Sequence, residues 1–165
     1  MAKKKQPPKT NAVRIVEAEG LPYQMHEYDA PGGFLDGVSV AKTLGQNPKQ
    51  VFKTLVATGS SKEYYVCVIP VEKELDLKKA AKHFGEKKME MILARNITQV
   101  TGYIKGGCSP VGMKKLYPTA IDISAEVFDD IIVSGGKVGL QMELPLKGLV
   151  EITKAHLVDL VVETK

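Results

Sequence analysis

Cysteine is scarce in this chain. Its two residues, Cys67 and Cys108, are too few for a disulfide framework and lack paired metal-ligand spacing. Histidine is nearly as sparse. His26, His83 and His156 form no ligand-spaced pair with one another or with a cysteine, which argues against a zinc hydrolase. His83 and His156 are each expected near the end of a helix. Long apolar runs are missing too: nothing approaches the roughly 20 residues needed to span a membrane. The basic start, Met1-Ala2-Lys3-Lys4-Lys5, has no apolar segment after it and does not read as a secretory signal. There is no Gly-x-Ser-x-Gly elbow, no Walker phosphate loop and no strand-linked Gly-x-Gly-x-x-Gly fingerprint. The expectation is a cytoplasmic, reduced setting, away from membranes, with no metal and no cofactor.

At 165 residues and 44% hydrophobic, the chain has the material for one domain with a real core. Its charge is unevenly placed. Lys3, Lys4, Lys5 and Lys9 fall in the first ten residues with no acid among them, and the rest of the 23 basic residues match the 19 acidic ones. Residues 1–12 therefore read as a basic flexible tail, helped by Pro7 and Pro8, on a near-neutral domain spanning 13–165. Such a tail either solubilises the chain or follows a phosphate backbone with salt-dependent affinity.

Val13 and Val16 with Glu17-Ala18-Glu19 predict a short helix stopping at Gly20. Pro22 to Asp29 alternates as a strand, with Gln24, His26 and Tyr28 on one side, and Pro31-Gly32-Gly33 breaks it. A helix over Val38 to Leu44 ends at Gly45. Val51 to Thr58 and Tyr64 to Val71 read as buried strands, joined by Gly59-Ser60-Ser61 into an antiparallel hairpin. Asp76 caps a helix running to Phe84 and ended by Gly85. A further helix is expected over Glu90 to Val100. Ala120 to Ile123, Ile131 to Ser134 and Leu140 to Leu144 read as strands, the last two linked by the hairpin signal Gly135-Gly136-Lys137-Val138-Gly139. Pro145 opens a helix whose Leu146, Leu149, Val150 and Leu157 share a face, and Val158 to Val162 closes the chain as a strand. Strands joined by both turns and helices predict an α+β domain built on a mixed sheet or barrel.

Lys53 is the odd member of the best strand, between Val51-Phe52 and Leu55-Val56. A buried ammonium needs an anion to meet or a lowered pKa; the alternative is an edge strand whose lysine faces water. Cys108, between glycines and Ser109-Pro110, would need a nearby cation or base to become a nucleophile, and the sequence supplies none beside it. Cys67, mid-strand, belongs to the core. Three glycine turns, Pro31-Gly32-Gly33, Gly106-Gly107-Cys108-Ser109-Pro110 and Ser134-Gly135-Gly136, allow a ligand close to the backbone, although each alone fits ordinary turn chemistry.

Three stretches in order, Val51-Phe52-Lys53-Thr54-Leu55, Thr101-Gly102-Tyr103 with Gly106-Gly107-Cys108-Ser109-Pro110-Val111-Gly112, and Val133-Ser134-Gly135-Gly136-Lys137-Val138-Gly139-Leu140, resemble the YbaK family. These are Cys-tRNA(Pro) deacylases related to the editing insertion of bacterial prolyl-tRNA synthetase. The resemblance covers the chain from the first helix onward. It implies a mixed β-barrel-like domain with helices packed outside. It places the essential lysine on Lys53, the glycine-loop residue on Gly106 and the serine before the paired glycines on Ser134. Tyr28 would contact the substrate, with His26, Thr54, Gly107, Ser109, Gly135, Gly136 and Gln141 around it. Gln141 departs from the aspartate that relatives can carry. In this family the substrate's own thiol is thought to attack the ester, so Lys53 would orient the tRNA end, keeping its charge at an ordinary pKa. The implied partners are aminoacyl-tRNA and prolyl-tRNA synthetase, not DNA. Two alternatives stand beside this: hydrolysis of another small aminoacyl-tRNA such as Ala-tRNA(Pro) through an activated water, and a tRNA- or synthetase-binding module without catalysis.

Overall fold

The structure, a computed structural model, describes residues 9–30 and 36–163. The Pro31-Gly32-Gly33 turn and residues 1–8 of the basic tail lie outside the described residues. Thr10 caps the first helix, α1 (Asn11–Ala18), its hydroxyl accepting from the Val13 amide. A short strand β1 (Gln24–Glu27) follows, then α2 (Gly37–Thr43), capped by Asp36. The hairpin β2 (Phe52–Gly59) and β3 (Tyr64–Pro70) forms as the alternation predicts. Helix α3 (Leu77–Phe84) runs from its Asp76 cap to a left-handed Gly85.

The segment after α3 departs from the expected helix over Glu90 to Val100. Met89–Met91 forms strand β4, pairing antiparallel with Ala57–Gly59 of β2; a 3₁₀ turn (Ala94–Asn96) and the short α4 (Ile97–Thr101) come after it. Met89 is buried with Ala80 and Ala81 of α3, so an available strand edge and an apolar seat override local helix preference. Then come β5 (Thr119–Asp122), β6 (Asp130–Lys137), β7 (Leu140–Pro145), α5 (Leu146–Thr153) and β8 (His156–Val158). Leu157 thus leaves the face of α5. Lys154, left-handed at φ 56°, ends that helix, and β8 pairs parallel with β5. His156 sits in a strand for the same reason, its ring 5.4 Å from that of His83.

The strands make two sheets, β1-β7-β6 and β4-β2-β3-β5-β8, which touch at a parallel bridge between Val51 and Ile132 instead of closing into a barrel. The α+β architecture stands, with a mixed larger sheet. One core cluster joins both sheets: Phe52, Val56 and Ile121 from the larger meet Ile131, Met142 and Leu144 from the smaller, closed by Val13 and Val16 of α1 and Leu149 of α5. A second cluster, Cys67 and Ile69 with Ala80 and Ala81, seats α3. A third, Ala41 with Val51, Val71 and Ile132, seats α2 against the bridge.

Candidate active site

A cavity of about 490 Å³ opens where the two sheets meet. Its position follows from pairing. β4 covers β2 only from Ala57 to Gly59, so the stretch from Phe52 to Leu55 has an open edge on that side. Val51 and Gly59 both bond toward β3, Val51 O accepting from the Val71 amide and Gly59 N donating to Glu63 O. The two-residue alternation of an antiparallel ladder therefore turns the backbone N–H and C=O of Thr54 outward to the open edge. Both faces of β2 reach the cavity there, which is how Lys53 and Thr54 line it together despite pointing to opposite sides of the strand.

Lys53 is half-buried, and burial lowers its pKa from the ordinary lysine value, with Glu74 pulling the other way. The ordinary pKa expected for this group is thus corrected: the cavity wall shields the ammonium from water, and no ion pair among the described residues offsets that burial. The Thr54 hydroxyl is buried and has no hydrogen-bond partner among the described residues. Ser134 and Gln141 face each other across β6 and β7 and line the opposite wall. Ser134 Oγ accepts from the Gly136 amide at 3.2 Å, and Gln141, 5% exposed, accepts at Oε1 from Gln46 Nε2 at 2.7 Å. Gly106, left-handed at φ 86°, and Tyr28 also line the cavity, the Tyr28 amide donating to Gly139 O at 2.9 Å.

The remaining expected site residues stand behind these. His26 bonds Glu143 Oε1 at 2.8 Å on the β1–β7 pair and does not line the cavity. Ser109 is fully buried, its Oγ accepting from the Val111 amide at 3.2 Å. A Cβ on Gly107 would lie 2.7 Å from Lys137 Cα, so this glycine lets the loop rest on the β6–β7 hairpin. Gly135 and Gly136 sit in the bulge between Ser134 and Lys137. Gly136 has φ 103°, and its Cα faces Thr10 and Tyr103.

Other lining groups were not legible in the sequence: Asp36, Gly37 and Val40 from α2, Met91 and Ile92 from the β4 region, and Lys105. The spacing of Asp36 and Ser39 was the one available signal for the first of these, since it is a helix cap. The Ser39 amide, then its hydroxyl, hold the Asp36 carboxyl below the usual range, so it is a poor base. Cys108 lines the cavity as well, and burial pushes its thiol up to about 11. Among the described residues the cavity therefore offers hydrogen-bond donors and two lysines but no activated nucleophile. No cluster of His, Cys, Asp and Glu among them could hold a metal ion, and no helix is long and apolar enough to cross a membrane.

An open-edged lysine strand faces a serine–diglycine hairpin across this cavity, and the family of the chain follows from the sequence. Residues 36–152 match the model of the aminoacyl-tRNA editing domain, and the chain belongs to that family. It is similar over 160 residues, at 44% identity, to an Enterococcus faecalis protein named as a Cys-tRNA(Pro)/Cys-tRNA(Cys) deacylase, EbsC; 97% of this chain and 98% of that one are covered. A proline–tRNA ligase of Thermosipho melanesiensis is 29% identical over 98 residues, which are 59% of this chain and 17% of the ligase. In fold, the chain matches a solved structure described as a trans-editing enzyme for prolyl tRNA synthetase, with TM-score 0.81 at 23% identity, covering 95% of this chain and all of that one.

Proposed function

We propose that this protein is a cytoplasmic deacylase of mischarged Cys-tRNA(Pro). The observation that carries the reading is a cavity that, among the described residues, is rich in donors and lacks an activated nucleophile. Neither Cys108 nor Asp36 is in a state to attack an ester or to activate water for it. The reacting group then comes from the substrate. Its thiol gives up a proton and Sγ attacks the ester carbonyl carbon. A C–S bond forms, the bond from that carbon to the ribose oxygen breaks, and the ribose hydroxyl leaves with the proton. The product is a cyclic thiolactone, which water opens later.

In this reaction the protein supplies placement and charge. Lys53 would hold the terminal adenosine or its phosphate, which is where a cation beside an open strand edge is useful. Gly106, Ser134, Tyr28, Thr54 and Gln141 would surround the aminoacyl ester, with the outward-turned Thr54 amide within the same wall. His26, Gly107, Ser109, Gly135 and Gly136 would support that wall from behind. The balanced charge of residues 13–165 leaves little to grip a whole tRNA, so prolyl-tRNA synthetase would deliver the correct one, aided by the basic tail. The test is incubation with Cys-, Ala- and Pro-tRNA(Pro), comparing the native chain with Lys53→Ala. Native cleavage of the cysteinyl ester alone, lost in the variant, is expected. Equal cleavage of the alanyl ester, or an unaffected variant, would refute the reading.

A further inference from the structure

Among the described residues, two buried side-chain polar atoms have no hydrogen-bond partner: Thr54 Oγ1, in the cavity wall, and Gln46 Oε1. A buried, unmatched acceptor is unfavourable, so each such atom calls for a reason. For Gln46 the reason lies at the other end of its amide, where Nε2 donates to Gln141 Oε1 at 2.7 Å. Gln141 lines the cavity and Gln46 does not. From these contacts we infer that Gln46 is a positioning residue: it holds the oxygen of Gln141 and so fixes the Gln141 NH₂ as the end presented to the aminoacyl group. This inference rests on the deacylase reading of the site.

The backbone of Gln46 is set for such a task. Helix α2 (Gly37–Thr43) ends in a left-handed Gly45 at φ 67°. The Gly45 amide donates to Lys42 O at 3.2 Å and the Gln46 amide to Ala41 O at 2.8 Å. This double closure fixes the residue after the glycine. Ala41 packs with Val51 and Ile132, the residues that bridge the two sheets. Gln46 is therefore anchored to the same junction that carries Lys53, and its amide reaches Gln141 from 95 residues away in sequence.

The chemistry that follows is specific. A glutamine at position 141 can present either an acceptor or a donor, since its amide has both ends. The bond from Gln46 removes that ambiguity. Gln141 Nε2 is then a neutral donor suited to an ester carbonyl, whose oxygen gains negative charge as the thiol attacks. A carboxylate in this place could accept only, so the role argued here belongs to the glutamine.

Gln46→Glu tests this in the full-length chain with little change of shape. The introduced carboxylate accepts only, so Gln141 must turn its NH₂ toward it and its oxygen to the cavity. We expect kcat for Cys-tRNA(Pro) to fall on the order of 10–100-fold with KM little changed. Gln46→Leu removes the donor and should slow the reaction similarly, which covers the case in which the first variant does not fold. The second readout is the side-chain NH₂ resonance of Gln141 on adding adenosine that carries cysteine through a non-hydrolysable 3′-amide. It should shift in the native chain and not in Gln46→Glu. Native turnover in a folded Gln46→Glu, or an unmoved native resonance, overturns the inference. A shift in a native chain that fails to cleave Cys-tRNA(Pro) leaves Gln46 in its role and overturns the deacylase reading instead.

Discussion

Gly107→Ala separates two roles for the glycine loop. The resemblance places Gly107 among the substrate contacts, whereas the structure puts it against backbone. An added Cβ would stand 2.7 Å from Lys137 Cα, 2.8 Å from Lys137 C and 2.8 Å from Val138 N, where ordinary contact begins at 3.4 Å. All three atoms belong to the β6–β7 hairpin backbone, which has no flexible end to swing away, so the loop itself must lift. Overpacking of this kind costs about 1–3 kcal/mol. For a chain of this size each kcal/mol lowers the melting midpoint by roughly 2–4 °C. Gly106, the preceding residue, lines the cavity, and displacing a positioning group by about 1 Å can cost on the order of 100-fold in rate. Calorimetry and deacylation kinetics on one preparation should therefore show a lowered midpoint together with reduced kcat/KM. An unchanged midpoint with a large loss of activity would mean that Gly107 meets the substrate directly. No change in either would refute the packing argument.

Cys108→Ser should retain deacylation within about 3-fold of native, because a thiol held at about 11 does not supply the nucleophile; loss of activity in a folded variant would restore Cys108 as a candidate. Lys53 predicts opposite alkaline trends in stability and activity. Its folded-state pKa lies below the ordinary 10.5, so between the two values the unfolded chain binds more protons and stability rises with pH. Activity should fall over the same window as the ammonium is lost. Urea midpoints through that range should rise in the native chain and lose that contribution in Lys53→Met; identical profiles would contradict a lowered pKa.

The sequence was most readable where one local signal decides the outcome. Asp76 and Gly85 bound α3, and Gly135 to Gly139 marks the β6–β7 hairpin, because caps and turns depend on side chains and dihedrals within a few residues. Met89 to Met91 was not readable. Its helical appearance gives way to pairing along the edge of β2, a partner distant in sequence that no local pattern reveals. The same limit applies to the site. Lys53 stood out as a cation in an apolar strand, and Ser134 and Gly106 came through the resemblance. Asp36 shows locally only as a helix cap, and Met91 and Gln46 join the neighbourhood through long-range packing that no local pattern carries. The divided fate of the glycine motifs is instructive as well. Gly106 and Ser134 line the cavity, while their immediate neighbours Gly107 and Gly135 are held where a Cβ would strike Lys137 or Leu140. A motif read as one unit contains both the contact and the support for it.

On the deacylase reading, the lack of an activated nucleophile among the described residues becomes the source of selectivity. A pocket that told cysteine from alanine by size alone would gain only about 1–3 kcal/mol for the extra group. That margin is thin for an enzyme that meets many correctly charged tRNAs. With Asp36 held below the usual carboxylate range and Cys108 pushed to about 11, the described cavity offers neither group to water or to an alanyl ester. A cysteinyl ester brings its own attacking atom into a wall of donors and reacts; an alanyl ester bound in the same pose has nothing to react with. Adding a competent base to the cavity should therefore broaden the substrate range at least as readily as it raises the rate.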